Sequence, residues 1–273
     1  DYNITKENKG IFSFKHYKFM MHKMCIFKYI QNIRNPDKDP SIVEVNNLAR
    51  IIIQESRFCK IKSFLVMSIT YSVHITIMHV TIEEITPVSY PEPFRHRPQD
   101  FPNAFVISKS NIIIIAYSTN KNMEVSVFFL TQIKFILIYK GQFKNYAAQF
   151  GSINIHVKIP DLFKIHRCLI IKTKFMDCFA NTFGGAVYAN HTVQRNNQYN
   201  TYRTIVLHYI LYCIFENCSG AYDGGSLYLF YFGSDQARTV DHLMLYHSSF
   251  QQCTSMSGGA IKIWRGYLVL IMK

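Results

Sequence analysis

Close cysteine pairs are missing from this sequence. Its seven cysteines stand at 25, 59, 168, 178, 213, 218 and 253. None forms the Cys-x-x-Cys pair that a structural zinc site ordinarily uses, and an odd number cannot pair fully as disulfides. His22 with Cys25 is a lone pair of candidate ligands. His74 and His79 are five residues apart, as are His242 and His247, so each pair falls on opposite faces of a strand. No metal and no cofactor is expected. Long apolar runs are also lacking: none reaches the ~18 residues of a membrane helix, and 266–272 is too short. Acid is scarce, with 17 Asp and Glu against 30 Lys and Arg and a formal charge of +13. That balance favours acidic partners such as sulphated glycans or anionic lipid. The basic residues are scattered and form no stripe, which disfavours nucleic acid. Alanine is sparse whereas Ile, Phe and Tyr are abundant, a β-forming composition. The chain opens at Asp1, as a fragment, a processed form or an incomplete gene model would. Where the chain opens says nothing of a signal peptide before Asp1, and an anchor beyond Lys273 is left open.

What is present is a repeat. Phe175-Met176-Asp177-Cys178 leads to Gly184-Gly185-Ala186-Val187-Tyr188. Phe215-Glu216-Asn217-Cys218 leads to Gly224-Gly225-Ser226-Leu227-Tyr228. Phe250-Gln251-Gln252-Cys253 leads to Gly258-Gly259-Ala260-Ile261-Lys262. One such unit cannot bury its own apolar face, whereas stacked copies can. The Phe-to-Phe steps are 40 and 35 residues. Variable steps suit stacked parallel strands whose loops absorb insertions. After each Gly-Gly the chain alternates as a strand does. Val187, Leu227 and Ile261 share one face with Ala189, Leu229 and Ile263. Tyr188, Tyr228 and Lys262 are expected to face out, with Ala186, Ser226 and Ala260. The paired glycines supply the sharp bend into each strand. The fold read from this pattern is all-β, a right-handed parallel β-helix (solenoid) with irregular loop insertions.

Weaker copies lie upstream. Phe143-Lys144-Asn145-Tyr146 precedes Gly151-Ser152-Ile153, with Phe150 in place of the first glycine. Phe101-Pro102-Asn103-Ala104 before Ile112–Ile115 reads as a fainter copy, and Phe58-Cys59 after Ile51–Ile53 as a degenerate one. Val125 to Tyr139 reads as two strands split near Thr131-Gln132, and Val73 to Ile82 as strand. The prolines of 87–102 mark a lateral loop. Residues 1–40 read as a poorly patterned basic segment or cap, and 41–273 as the repetitive body, clearest over 143–263.

Stacked in register, Asn145, Asp177, Asn217 and Gln252 form one column, in which amides can bond along the stack. Tyr146, Cys178, Cys218 and Cys253 form the next. Those cysteines read either as a buried reduced ladder or as disulfides between neighbouring strands; the reduced ladder is favoured. Asn3, Asn190 and Asn217 are glycosylation sequons. Asn190 follows a strand into a polar stretch and is the candidate for an exposed acceptor, whereas Asn217 belongs to the amide column.

These motifs resemble the repeats of the polymorphic outer membrane proteins of Chlamydia, and large surface-protein families of Trichomonas and ciliates look similar. Gly258-Gly259-Ala260-Ile261 matches their Gly-Gly-Ala-Ile motif in full, and Phe215-Glu216-Asn217 is close to Phe-x-x-Asn. The resemblance covers about 175–263. It implies a right-handed β-helix at the cell surface or outside the cell, membrane-associated in the full-length protein. It also implies an adhesin-like module that binds host or cell-surface components, whether glycan or protein. The alternative is a polysaccharide lyase or glycoside hydrolase, which needs carboxylates converging on one outer face. Asp177, Glu216, Asp223, Asp235 and Lys262 are the groups available, and none is paired with another carboxylate by the repeat. No catalytic residue is assigned. The positions singled out are structural: Phe175, Cys178, Gly184, Gly185, Phe215, Asn217, Cys218, Gly224, Gly225, Phe250, Cys253, Gly258 and Gly259.

Overall fold

A computed structural model describes residues 12–15, 19–23, 26–28, 41–63, 65–87, 102–159, 165–193, 205–232, 240–264 and 267–272. These residues are all-β, with no helix among them. Their strands pair in parallel throughout, and the parallel sheets curl into a half-barrel.

The chain visits three stations in turn and then repeats them one tier further on. The first tier is β1 (Phe12–Lys15), β2 (Phe19–Lys23) and β3 (Ile26–Lys28); the second is β4 (Ser41–Asn46), β5 (Arg50–Gln54) and β6 (Arg57–Lys62). β7 (Leu65–Thr70), β8 (His74–Met78) and β9 (Thr81–Thr86) follow. In the next two tiers one long strand serves the first two stations: β10 (Asn103–Ala116) precedes β11 (Thr119–Met123), and β12 (Ser126–Tyr139) precedes β13 (Gln142–Ala148). Then come β14 (Ile153–Ile159), β15 (Ile165–Ile171) and β16 (Lys174–Ala180), followed by β17 (Val187–Val193) and β18 (Ile205–Leu211). The third station of that tier is divided into β19 (Ile214–Glu216) and β20 (Ser219–Asp223). β21 (Leu227–Phe232), β22 (Val240–Tyr246), β23 (Ser249–Gln251) and β24 (Thr254–Ser257) repeat that arrangement, and β25 (Ile261–Trp264) and β26 (Tyr267–Met272) end it. The first two stations form one sheet and the third forms the other. A parallel neighbour cannot be reached by a hairpin. Here the chain reaches it by passing through the other two stations.

The bends between stations explain how the path closes. Among the described residues, eighteen other than glycine have positive φ, and all fall on three lines of equivalent positions. Asn47, Tyr71, Lys109 and Gln132 mark the bend after the first station. Glu55, His79, Tyr117, Lys140, Lys172, Tyr212 and His247 mark the bend after the second. Lys60, Glu84, Asn122, Asn145, Asp177, Asn217 and Gln252 mark a bend within the third. The split expected near Gln132 is one of these bends: β12 runs through it, pairing with β14 before and β15 after.

The core lies between the sheets. Val43, Met67, Phe105, Phe128, Ile153, Val187 and Leu227 hold one inward position along the first station and are all buried. At the third station Phe143, Phe175, Phe215 and Phe250 stack ring on ring, with successive centroids 4.9, 4.9 and 4.6 Å apart and interplanar angles of 15°, 5° and 2°. In-register strands ~4.8 Å apart impose that spacing on any repeated side chain.

The two glycines of each pair have different reasons. Gly184 and Gly224 have φ of +59° and +58°, a left-handed bend. Gly185 and Gly225 are crowded by backbone: a Cβ on Gly185 would sit 2.5 Å from the carbonyl oxygens of Cys178, Ser219 and Gly225. Gly259 meets nothing within 4 Å.

Several expectations are corrected. The copy read at 101–104 is corrected: Phe101 lies outside the described residues, Asn103 onward belongs to the first station, and the position equivalent to Phe143 is held by Asn120. Tyr188 and Tyr228 do leave the core face of their strands, but each is only 5% exposed. Phe183, just ahead of the glycine pair, lies 4.7 Å from the Tyr228 ring, and Phe150 lies 5.0 Å from Tyr188. The two tyrosines stack at 5.6 Å under this cover. Burial pushes both phenols up, Tyr228 to about 12. Ala186 and Ser226, expected to face out, are fully buried. The proline-rich loop from 88 to 101 and the sequon at Asn3 lie outside the described residues.

Removing one ring from the Phe ladder leaves a cavity between two tiers. Phe215→Ala is expected to lower unfolding free energy by about 3–5 kcal/mol. Gly185→Ala, which forces backbone apart, is expected to cost about 1–3 kcal/mol. Urea unfolding followed by circular dichroism measures both, and a loss under ~0.5 kcal/mol for Phe215→Ala would contradict the stacked-ring core.

Candidate recognition surface

Inward positions leave little room for a ligand. The space lined by Ile133, His156, His166, Arg167, Val206 and His208 amounts to about 10 Å³, the lower limit for one water. Beside it sits a buried histidine pair. His191 lies in β17 and His208 in the middle of β18, with their Nε2 atoms 3.2 Å apart and their rings stacked at 5.2 Å. At that distance one Nε2 donates a hydrogen bond to the other. Burial, with the nearby His166, lowers His191 to about 3. His166 Nδ1 lies 2.8 Å from the carbonyl oxygen of Ile133. Among the described residues no three His, Cys, Asp or Glu side chains are grouped to hold a metal.

The cysteines line the inner side of the bends. Cys178, Cys218 and Cys253 follow Asp177, Asn217 and Gln252, and each thiol donates to the carbonyl two residues back, at 3.5, 3.4 and 3.2 Å. Each also reaches a Phe carbonyl of the preceding tier: Phe143, Phe175 and Phe215 respectively. All three are free thiols. Cys213 occupies the matching place after Tyr212 and donates to Leu211. Cys218 is pushed up by its hydrogen bond with Cys178 and by burial. Burial raises Cys168 to about 12 and Cys213 to about 11.

The outer side of the third-station bend carries the amide column. Asn145 Nδ2 donates to Asn122 Oδ1 at 2.9 Å, and Asn217 Nδ2 donates to Asp177 Oδ1 at 2.8 Å. Asn and Asp are the side chains that best tolerate positive φ, so this column serves the bend as well as the ladder. Nearby, Glu83 lies only 3% exposed between two cations of adjacent tiers. Arg57 Nε donates to its Oε1 at 2.8 Å, with Arg57 Nη2 on the same oxygen, and Lys121 Nζ lies 2.9 Å from Oε2. Burial pushes the Glu83 carboxyl up, but the hydrogen bonds and charges of Arg57 and Lys121 outweigh it and hold the group below its ordinary value.

The second-station bend differs. All seven of its side chains are exposed, and most are aromatic or basic. His79 stacks on Tyr117 at 4.8 Å and 7°. Lys140 Nζ lies 5.2 Å from the Tyr117 ring and 5.3 Å from that of Tyr139. Tyr212 stacks on His247 at 5.4 Å and 3°, and meets Tyr246 edge-on at 5.3 Å. The hydrogen bond with Tyr212 raises the Tyr246 phenol. Nothing in the spacing of these residues marks them in the sequence, because Tyr, Lys and His carry no turn signature.

The acidic groups weighed for catalysis do not converge. In register, Asp177 has Asn145 and Asn217 as neighbours, Glu216 has Met176 and Gln251, and Asp223 has Phe183 and Ser257. Asp223 lies 3.7 Å from Lys262, which also donates to Ser257. Asp235 lies outside the described residues. Asn190, expected beyond a strand, lies inside β17, paired with His156 on one side and Phe230 on the other, and is half-buried. No helix among the described residues is long and apolar enough to cross a membrane.

Two measurements follow from the buried groups. His191 has a folded pKa below its unfolded value of about 6.5, so the unfolded chain binds the proton first and stability falls as pH drops below about 6.5. Glu83 is also depressed, but its contribution is lost only below the carboxylate range near 4.5. Between pH 7 and 5 the histidine dominates, with an expected loss of about 2 kcal/mol. Urea unfolding at both pH values checks this; a His191→Leu/His208→Leu double variant that kept the full loss would contradict it. In native protein at neutral pH, N-ethylmaleimide is expected to leave Cys168, Cys178, Cys213 and Cys218 unmodified, and to label all four in urea. Peptide mass mapping that finds Cys218 labelled before unfolding would refute the closed thiol ladder.

Comparison of the chain with protein-family models, curated proteins and solved structures finds no match.

Proposed function

We propose that the chain is a right-handed parallel β-helix acting as a non-catalytic recognition module, adhesin-like, that binds cell-surface or host components through its outer lines of side chains. The observation that carries this reading is the contrast between inside and outside. Inward positions are filled by aliphatic side chains, Phe rings and thiols, with about 10 Å³ of free space at the histidine cluster. The bends instead present continuous rows of exposed polar and aromatic groups. A right-handed path is the ordinary hand for a parallel crossover, and insertions between tiers leave the stack intact. The motifs shared with the polymorphic outer membrane proteins support a surface-exposed or secreted setting, membrane-associated in the full-length protein.

The enzymatic alternative finds no support in the carboxylates. A glycosidase or lyase site needs two of them, or one with a cation, aimed at a common substrate position. The Asp223–Lys262 pair is half-buried and tied to Ser257. The test is binding of the folded chain to a glycan array and to intact animal cells at low and moderate salt, with chromatography of any bound polysaccharide. Retention without shortened products is the expected result. Release of even one oligosaccharide product would overturn the recognition reading.

A further inference from the structure

The second-station bend is occupied by side chains that neither the backbone nor the core asks for. Its residues from His79 to His247 have φ between 45° and 56°, a region costly for Tyr and Lys and milder for Gly, Asn, Asp and His. The third-station bend, in the same backbone state, uses Asn122, Asn145, Asp177 and Asn217 at four of its seven places, with Lys60, Glu84 and Gln252 at the others. Two bends with one conformational demand thus carry different chemistry. Burial does not account for the difference, since Tyr117 is 41% and Tyr212 48% exposed. We propose that this line is the binding track for an extended acidic polysaccharide, with Lys140 and Lys172 holding its carboxylate or sulfate groups and Tyr117 and Tyr212 hydrogen-bonding its hydroxyls. The inference rests on the recognition reading above and names its partner and its surface.

The geometry suits a linear polymer. Tyr117, Lys140, Lys172 and Tyr212 come from four consecutive tiers and form one straight row at the strand spacing of ~4.8 Å, similar to the advance per sugar of an extended pyranose chain. Two ammonium groups therefore stand on adjacent steps with a phenol beyond each. Neither lysine is ion-paired among the described residues. The line's one carboxylate, Glu55, lies at its far end. The wider charge of +13 adds long-range attraction for a polyanion.

The ring arrangement selects sugar over nucleic acid. Single-stranded nucleic acid needs open aromatic faces on which bases stack. Here the faces turn toward one another along the row, His79 on Tyr117 and Tyr212 on His247.

The experiment uses the full chain and four substitutions suited to a left-handed bend: Tyr117→Asn, Lys140→Asn, Lys172→Asn and Tyr212→Asn combined. Asn tolerates the backbone better than the residues it replaces, so this variant is expected to unfold at no lower urea concentration than the parent. A control, Lys62→Gln with Lys134→Gln, removes the same charge from exposed positions off the line. Titration calorimetry with a heparin dodecasaccharide and with polygalacturonate, using neutral dextran and a thymidine oligonucleotide for comparison, reads the affinity. The expected result is binding of both acidic polysaccharides, weakened by salt, with at least a 10-fold loss in the Asn variant and less than a 3-fold loss in the control. Equal losses in the two variants, no loss in the Asn variant, tighter binding of the oligonucleotide, or no binding of either acidic polymer would each overturn the track. The recognition reading would still stand if the chain bound cells, and would fall separately if it cleaved the polysaccharide.

Discussion

The parallel backbone ladder is the interaction on which the rest of this structure depends. Each tier offers its N–H and C=O groups to the next at all three stations, so equivalent residues are superposed tier after tier. Even the bends obey it: the amides of Tyr117, Lys140, Lys172 and Tyr212 each donate to the carbonyl that precedes the next bend. Once the backbone is held this way, side chains have no choice of neighbour. A Phe that recurs must stack on a Phe, a thiol must follow a thiol, and a glycine whose carbonyl crowds the next tier requires another glycine there.

That constraint divides the molecule into lines rather than into a core and a surface. Inward lines are filled by aliphatics and Phe, and their thiols bond locally. The thiols of Cys178 and Cys218 donate to carbonyls on their own bend and on the tier before. The His191–His208 pair lies in a buried corner where burial lowers His191, at the expense of acid stability. Outward lines are free of packing demands, except where a second cover forms. Tyr188 and Tyr228 lose their exposure to Phe150 and Phe183, and Glu83 loses its own to Arg57 and Lys121. The second-station bend escapes both core and cover, which leaves its Tyr, Lys and His side chains available for contacts outside the molecule.

Much of this was legible in the sequence, and the limits have physical causes. Phe-x-polar-Cys followed by Gly-Gly is visible because both ends are under steric control: the rings fill one inward line, and the glycines meet backbone. The amide column at Asn145, Asp177 and Asn217 is visible for the same reason, since a left-handed bend favours those residues. The tiers upstream are harder to see. Asn120 stands where a Phe is expected, and β10 and β12 run through their bends without a break in composition. The bend at Tyr117, Lys140, Lys172 and Tyr212 has no signature at all, because none of these residues is suited to positive φ.

Local chemistry in the chain therefore determined the strand content, the stacked repeat and the in-register lines of Phe, Cys and Asn, since each depends on residues that recur at equivalent places. Only the tertiary structure decided which outward positions remain outside. Exposure depends on what a distant segment lays across a face: Phe183 hides Tyr228, whereas Tyr212 stays 48% exposed. It also decided that His191 and His208, from two different strands, meet Nε2 to Nε2 in the interior. Alternation along a strand says which side a residue takes, and only the assembled tiers say what lies on that side.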